Sequence, residues 1–289
     1  MFHYMFTISY DGSSFNGWQL QPDNPLITIQ GLLNYELSKF TGEDINIRAS
    51  GRTDSGVHAT CQTADFFCNK NLDLKNFPKE LNRNLCDSVR ITGICRVRDD
   101  FHSRKSALSK TYSYFVSLSD KPDVFFHRFV YTPCMPPLNI KPNMCSSPDI
   151  EFMKKCSHIF IGNHDFSAFT TDKSPDKSHV RTISDINISI IENTDIMRID
   201  FTGDGFLYNM VRIIAGTLLQ AGYGQFTYDD IKQQCPITSA PLSIMAWAAS
   251  LPRAVSVKEP VHAVCTWMSG FTSFAPSSNP FMILTRDAP

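Results

Sequence analysis

The feature that most constrains the fold is a repeated switch of apolar period, from two to 3.6 and back, over the first hundred residues. Phe6, Ile8 and Tyr10 alternate with polar positions, as a half-buried strand requires. Ile29, Leu32, Leu33, Leu37 and Phe40 then fall on one helical face, with Thr28 where an N-cap belongs. Ile45, Ile47 and Ala49 alternate again, and a further strand fits Gln62–Cys68. Leu74, Phe77, Leu81 and Leu85 return to helical spacing before a strand over Val89–Val97. That order is βαββαβ, a ferredoxin-like unit.

The order then recurs. Tyr112, Tyr114, Val116 and Leu118 alternate as a strand. A stretch carrying Pro122, Pro133, Pro136, Pro137, Pro142 and Pro148 reads as linker. Ile150–Ile161 fits a helix, Ile183–Ile191 and Ile196–Phe201 fit strands, and Leu207, Met210, Val211, Ile214 and Leu218 share a helical face. Only the final strand of a second unit is missing. A chain of 289 residues is long enough for about two domains, and the expected division is 1–108, 109–234 and a tail over 235–289.

One segment carries chemistry: Gly51-Arg52-Thr53-Asp54-Ser55-Gly56-Val57-His58-Ala59. It sets a single carboxylate between glycines, beside a cation and a hydroxyl. Glycines let the backbone take positive φ and approach a ligand. Arg52 and the Thr53 hydroxyl are residue types that hold a carboxylate ionised. A plain Asx-turn collects the same residue types and is the bland alternative.

Composition narrows the classes. A hydrophobic fraction of 42% with 19% charged residues is ordinarily globular, and a net charge of −1 neither advertises nor excludes nucleic acid. No apolar run approaches the roughly 20 residues of a membrane span. The N-terminal MFHYMFTISYDG lacks a basic n-region and a cleavage site, so a cytoplasmic protein is expected. The nine cysteines include no CxxC pair and the eight histidines no HxxxH or HExxH pair, so reduced thiols and no metal site are expected.

The nine-residue segment closely resembles the nucleophile motif GRTDAGVHA of the tRNA pseudouridine synthase A family, with Ser55 for Ala the one departure. Three further segments resemble the family's. Asp100-Phe101-His102-Ser103-Arg104, with Ser106-Ala107 and Lys110-Thr111-Tyr112-Ser113-Tyr114, is similar to DFHAR…SA…(K/R)xYxY. Gly205-Phe206-Leu207-Tyr208-Asn209-Met210-Val211-Arg212 with Gly216-Thr217-Leu218 is similar to FxxxMVRxxxGxL. Tyr10-Asp11-Gly12 with Phe15-Asn16-Gly17-Trp18-Gln19 resembles the N-terminal YDGxxFxGWQ. Lys105 stands where the family usually has an aromatic residue.

The resemblance implies an α+β fold of two ferredoxin-like halves. They share a mixed, mostly antiparallel sheet with helices on one face and an RNA-binding cleft between the halves. It implies a cofactor-free, homodimeric isomerase that turns uridine into pseudouridine in the tRNA anticodon stem-loop, at positions 38–40. Asp54 is then the catalytic carboxylate, by attack at C1′ or by removal of a sugar proton. Tyr112 packs on the target uracil, Arg212 pairs with Asp54 across the cleft, and Arg52 assists. Tyr114 is expected in the core. Arg104 and Lys110 are candidates for phosphate contact; Gly51, Thr53, His58 and Phe206 are candidates for substrate contact, with a structural role the better reading of His58. The loop His164–Arg181, with Lys173, Lys177, His179 and Arg181, could track an RNA backbone or be a solvated loop.

By motif, the match spans roughly residues 4–230 and stops after Cys235. The family's closing segment, TAPAxGLYLxxVxY, is replaced by a run rich in Ala, Ser, Pro, Met and Trp. Codons for Val264–Ser273 read one base earlier permit GLYLDE and, soon after, a stop. A frame-shifted ending is therefore expected, leaving the second half without its last strand. The altered tail favours one rival, a non-catalytic RNA-binding protein of the same fold. A glycosyl hydrolase ranks lower, because it needs two carboxylates near the bond and no second acid sits in a comparable motif.

Overall fold

The computed structural model describes residues 1–119, 124–133, 147–172, 174, 178–234 and 255–258. In the first half, β1 (Phe2–Tyr10), α1 (Ile29–Thr41), β2 (Arg48–Ala49), β3 (His58–Cys68), α2 (Phe77–Asn82) and β4 (Val89–Arg96) follow one another. In the second, β5 (Lys110–Ser117), α3 (Ile150–Ser157), β6 (Gly162–Asp165), β7 (Val180–Ile190), β8 (Ile196–Gly203), α4 (Met210–Gly222), α5 (Tyr228–Gln234) and β9 (Val255–Lys258) do so. The nine strands form one sheet in the order β4-β1-β3-β9-β5-β8-β7-β6, with β2 on β3. This is the expected α+β architecture of two ferredoxin-like halves.

Alternation on β1 puts Tyr4, Phe6, Ile8 and Tyr10 inside, against Phe66 of β3. α1 covers them with Ile29, Leu33 and Leu37, each fully buried. Burying a side chain of this size contributes about 1.5–3 kcal/mol. Thr28 caps α1 as its position predicts, accepting the Gly31 N–H at 3.2 Å. In the second half α4 is buried almost all round, as its mostly apolar sequence, interrupted at Arg212, Thr217 and Gln220, requires.

Four boundaries differ from the sequence reading. Ile45 and Ile47 are buried in alternation, but the strand there shrinks to Arg48–Ala49. Side chains of α1 take the place of ladder bonds: Ser38 Oγ accepts Ile45 N–H at 2.8 Å and Asn34 Oδ1 accepts Ile47 N–H at 3.0 Å. The helix expected over Ile150–Ile161 stops at Ser157 and tightens into a 3₁₀ turn, His158–Phe160. β6 has too short and too polar a sequence to be read in advance. Much of the Pro-rich stretch lies outside the described residues.

The fourth difference concerns the strand expected to be missing. β9 fills that slot, pairing antiparallel with β5 and parallel with β3. Among the described residues it is the one strand that joins the two halves. Val257 is paired on both sides, with Ala59 and with Tyr112. Proline there would remove an N–H from a central strand. Val257→Pro is expected to lower stability by about 1–3 kcal/mol, from the ladder partner left unsatisfied, read as a fall in the urea midpoint.

Candidate active site

The loop bearing Asp54 is set by contacts on both flanks. Asp54 carbonyl accepts Val57 N–H at 3.1 Å, closing a turn in which Gly56 takes φ +78°, a value costly for any residue with a Cβ. The Gly51–Thr53 approach is held from beneath. Gln62 Nε2 donates to Gly51 carbonyl at 2.9 Å, Tyr10 hydroxyl donates to Gln62 Oε1 at 2.5 Å, and Thr53 Oγ1 lies 2.8 Å from that hydroxyl. The N-terminal turn packs on the other flank. Trp18 N–H donates to Thr53 carbonyl at 2.9 Å, and Gly17 has φ +89° with no room for a side chain. The glycine pattern around residues 12–17 thus serves the carboxylate loop rather than a separate site.

That loop opens into a cleft of about 720 Å³ between the halves. Of the residues picked out by sequence, Gly51, Arg52, Thr53, Asp54, Arg104, Lys110, Tyr112, Phe206 and Arg212 all line it. Tyr112 meets Phe206 edge to face at 5.2 Å. Lys110 Nζ donates to Ser50 carbonyl at 2.5 Å, so the base of β5 is tied to the residue before the loop. Arg104 is exposed at the rim.

His58 takes the structural role that is its better reading, and two expected details change. His58 is not among the cleft-lining residues. Its Nδ1 accepts Gly12 N–H at 3.1 Å and lies 3.0 Å from Asp11, its Nε2 lies 3.1 Å from Arg128 carbonyl, and Phe129 packs on the ring. Burial pushes its pKa down, against the opposing pull of Asp11. These contacts make it a pin between the loop, the N-terminal turn and the 124–133 segment. The Thr53 hydroxyl serves Tyr10 instead of Asp54, and Arg52 points to solvent with no ion pair to Asp54 among the described residues.

Arg212 likewise forms no direct ion pair with Asp54 among the described residues. Between them works Tyr114, which sequence reasoning assigned to the core. It is buried, as expected, but it also lines the cleft. Its hydroxyl lies close enough to Arg212 and Asp54 for both charges to act on its ionisation. Burial pushes its pKa up to about 12; Arg212 opposes that and Asp54 adds to it. It stays a neutral phenol beside the guanidinium. The signal was present in the KxYxY spacing, since residues 112 and 114 share a face.

The turn before α4 is the other unread feature. Asn209 takes φ +60° and donates to Thr171 Oγ1 at 2.8 Å, while Thr170 Oγ1 donates to Tyr208 carbonyl at 2.9 Å. Left-handed backbone at a non-glycine residue is unusual outside functional turns. Of the basic loop His164–Arg181, Lys173 and Lys177 lie outside the described residues. His179 is held by Ser167 at 3.1 Å and Arg181 by local carbonyls. Among the described residues no cluster of His, Cys, Asp and Glu suits a metal.

Comparison with known proteins puts this geometry in context. A family model described as tRNA pseudouridine synthase matches residues 7–104 and 157–253. The match runs past Cys235, further than the motifs alone reach. tRNA pseudouridine synthase A 2 of Clostridium perfringens is 40% identical over 227 residues, covering 78% of this chain and 87% of that protein. tRNA pseudouridine synthase A of Acetivibrio thermocellus is 36% identical over 226 residues, covering 78% and 86%. The Oceanobacillus iheyensis protein of the same name is 37% identical over 254 residues, covering 84% and 94%.

A Cβ on Gly17 would lie 2.6 Å from Thr53 carbonyl, besides the strain of its φ. Gly17→Ala is expected to cost about 1–2 kcal/mol from backbone strain alone, plus the displacement of the carboxylate loop. Thermal unfolding reads the first effect. Faster amide exchange at Asp54–Val57 reads the second.

Proposed function

The chain belongs to the tRNA pseudouridine synthase family, and from that premise we propose that it converts uridines of the tRNA anticodon stem-loop, at positions 38–40, to pseudouridine. The N1–C1′ bond breaks, the uracil turns, and a C5–C1′ bond forms. C5 gives up a proton and N1 takes one, so the reaction balances without oxidant or reductant.

The observation that carries the reading is the meeting of Asp54 with Tyr112, Tyr114 and Arg212 in one cleft built from both halves. Asp54 acts at the sugar. It either attacks C1′, leaving a glycosyl ester and a uracil anion, or takes a sugar proton, leaving a glycal. Tyr112, braced by Phe206, packs on the uracil that leaves its stack. Arg212, steered by Tyr114, supplies positive charge near the carboxylate without neutralising it in a direct pair. Arg52, Arg104 and Lys110 face the phosphates, where arginine forks and lysine charge are the usual contacts. Gly51 and Thr53 shape the wall beside the carboxylate.

The proposed compartment is the cytoplasm, where tRNA is modified; among the described residues no helix is long and apolar enough to cross a membrane. The proposed assembly is a homodimer, supported by the family resemblance.

Tritium release from tRNA transcript labelled at uridine C5 tests the reading, because isomerisation must expel that hydrogen. The parent chain is expected to release tritium, and Asp54→Ala to lower the rate by roughly a thousandfold or more. Replacing the uridines at 38–40 by cytidine should abolish release. Tyr114→Phe, which removes the oxygen beside Arg212, is expected to slow release by about ten- to a hundredfold. Release by Asp54→Ala at the parent rate would remove that residue from the chemistry. Binding of tRNA with no release by any form would reassign the chain as a binding protein.

A further inference from the structure

Arg48 also lines the cleft, though no motif singles it out. It opens β2 and stands directly opposite Asp65 in the ladder. Its Nε donates to Asp65 Oδ2 at 2.9 Å, and its Nη2 donates to the same oxygen. The guanidinium carbon lies 5.3 Å from the centre of the Phe67 ring, against which His3 stacks at 3.8 Å.

Asp65 is fully buried, yet its pKa is lowered. Burial pushes it up, and bonds from Ser103, His3 and Arg48 outweigh that. Oδ1 accepts Ser103 N–H at 2.9 Å, and His3 Nε2 lies 2.9 Å from Oδ2. Ser103 Oγ closes a ring by donating to the carbonyl of Arg48 itself at 2.9 Å. The residue after Ser103 is Arg104, at the cleft rim.

Stability alone does not call for this arrangement. A carboxylate taken fully out of water carries a desolvation penalty that an ion pair often fails to recover. Well-packed apolar side chains would hold β2 to β3 as well. What the arrangement does accomplish is to fix a guanidinium in space. Arg48 keeps 39% of its side chain exposed, and Nη1 donates to nothing among the described residues. A fork fixed in advance loses little further rotamer freedom on meeting an anion. Its neighbours on the cleft wall, Arg52, Arg104 and Lys110, carry the same sign.

We propose that Arg48 is a phosphate-binding residue for the tRNA strand entering the cleft, and that buried Asp65 is the positioning residue that holds it there. The proposal rests on the cleft being the tRNA site. The chemistry fits a phosphodiester: the free edge of the fork presents N–H groups with a formal positive charge, and no acceptor for a base is exposed on it.

Equilibrium binding of unmodified tRNA transcript to the full chain, in an Asp54→Ala background that prevents turnover, tests it across a series of KCl concentrations. Arg48→Ala is expected to weaken binding about tenfold and to reduce the slope of log Kd against log [KCl] by about 0.7–0.9, the value of one phosphate contact. Arg48→Lys should restore the slope and only part of the affinity, since it keeps the charge but loses the fork. Asp65→Asn should weaken binding comparably and add little in the double variant with Arg48→Ala. Unchanged affinity and slope in Arg48→Ala would overturn the proposal. Additive losses in the double variant would remove Asp65 as the positioning residue. Should Asp65→Asn fail to fold, the two Arg48 variants decide alone. A parent chain that binds no tRNA would instead defeat the reading of the cleft, and the proposal with it.

Discussion

The seam between the two halves is the interaction on which the site depends. The Asp54 loop leads into β3, and both tyrosines stand on β5. No bond joins those two strands directly in the described sheet. β9 lies between them, pairing with His58–Cys61 on one side and Thr111–Tyr114 on the other. Two ladder steps put β3 and β5 about 10 Å apart. That spacing sets how far the carboxylate stands from the aromatic wall, and therefore what can fit between them. Lys110 reinforces it by reaching from the start of β5 to the carbonyl of Ser50.

Within that frame the electrostatics are arranged to avoid a short circuit. In the proposed chemistry a direct Arg212–Asp54 pair would stabilise the carboxylate, but the guanidinium would occupy the lone pairs proposed to act on the sugar. Tyr114 separates the two functions. Its buried phenol is kept neutral beside the guanidinium, so the positive charge is near while no direct ion pair ties up the carboxylate. The first turn of α4 also lines the cleft, and the positive end of a helix favours an anion there. The cost is a hydroxyl buried at the centre of the molecule. Two tyrosines spaced by one residue both line the cleft, and the proposed roles divide between them, one packing and one positioning.

Much of this was legible in the residues themselves. Alternation on β1, the Thr28 cap and the apolar face of α1 are local patterns, and the structure follows them. The sequence GRTDSGVHA declared its tight turn, because Gly56 takes the positive φ that the turn needs. What could not be read depends on partners distant in the chain. Ile45 and Ile47 look like a paired strand, yet Ser38 and Asn34 of α1 supply their bonds. The Thr53 hydroxyl looks free to serve Asp54 until Tyr10 and Gln62 are seen beneath it. Tyr114 looks like core because it is core; only the fold shows what its oxygen touches. Arg48 and Asp65 are 17 positions apart, and only the register of β2 on β3 makes them a pair.

The tail poses a sharper question about what a strand contributes. Backbone N–H and C=O groups are common to all residues except proline, so a central ladder position accepts almost any short segment free of proline. Val255–Lys258, with two β-branched valines, meets that requirement, although nothing in it resembles GLYL. The frame-shifted ending inferred for Val264–Ser273 lies outside the described residues. The seam therefore does not need the family's closing sequence, only four residues able to pair on both sides. Side chains are a separate matter. If the ladder alone is required, the chain works with the ending it has. If apolar side chains at that position shield the reacting base from water, restoring them would raise turnover without changing the fold.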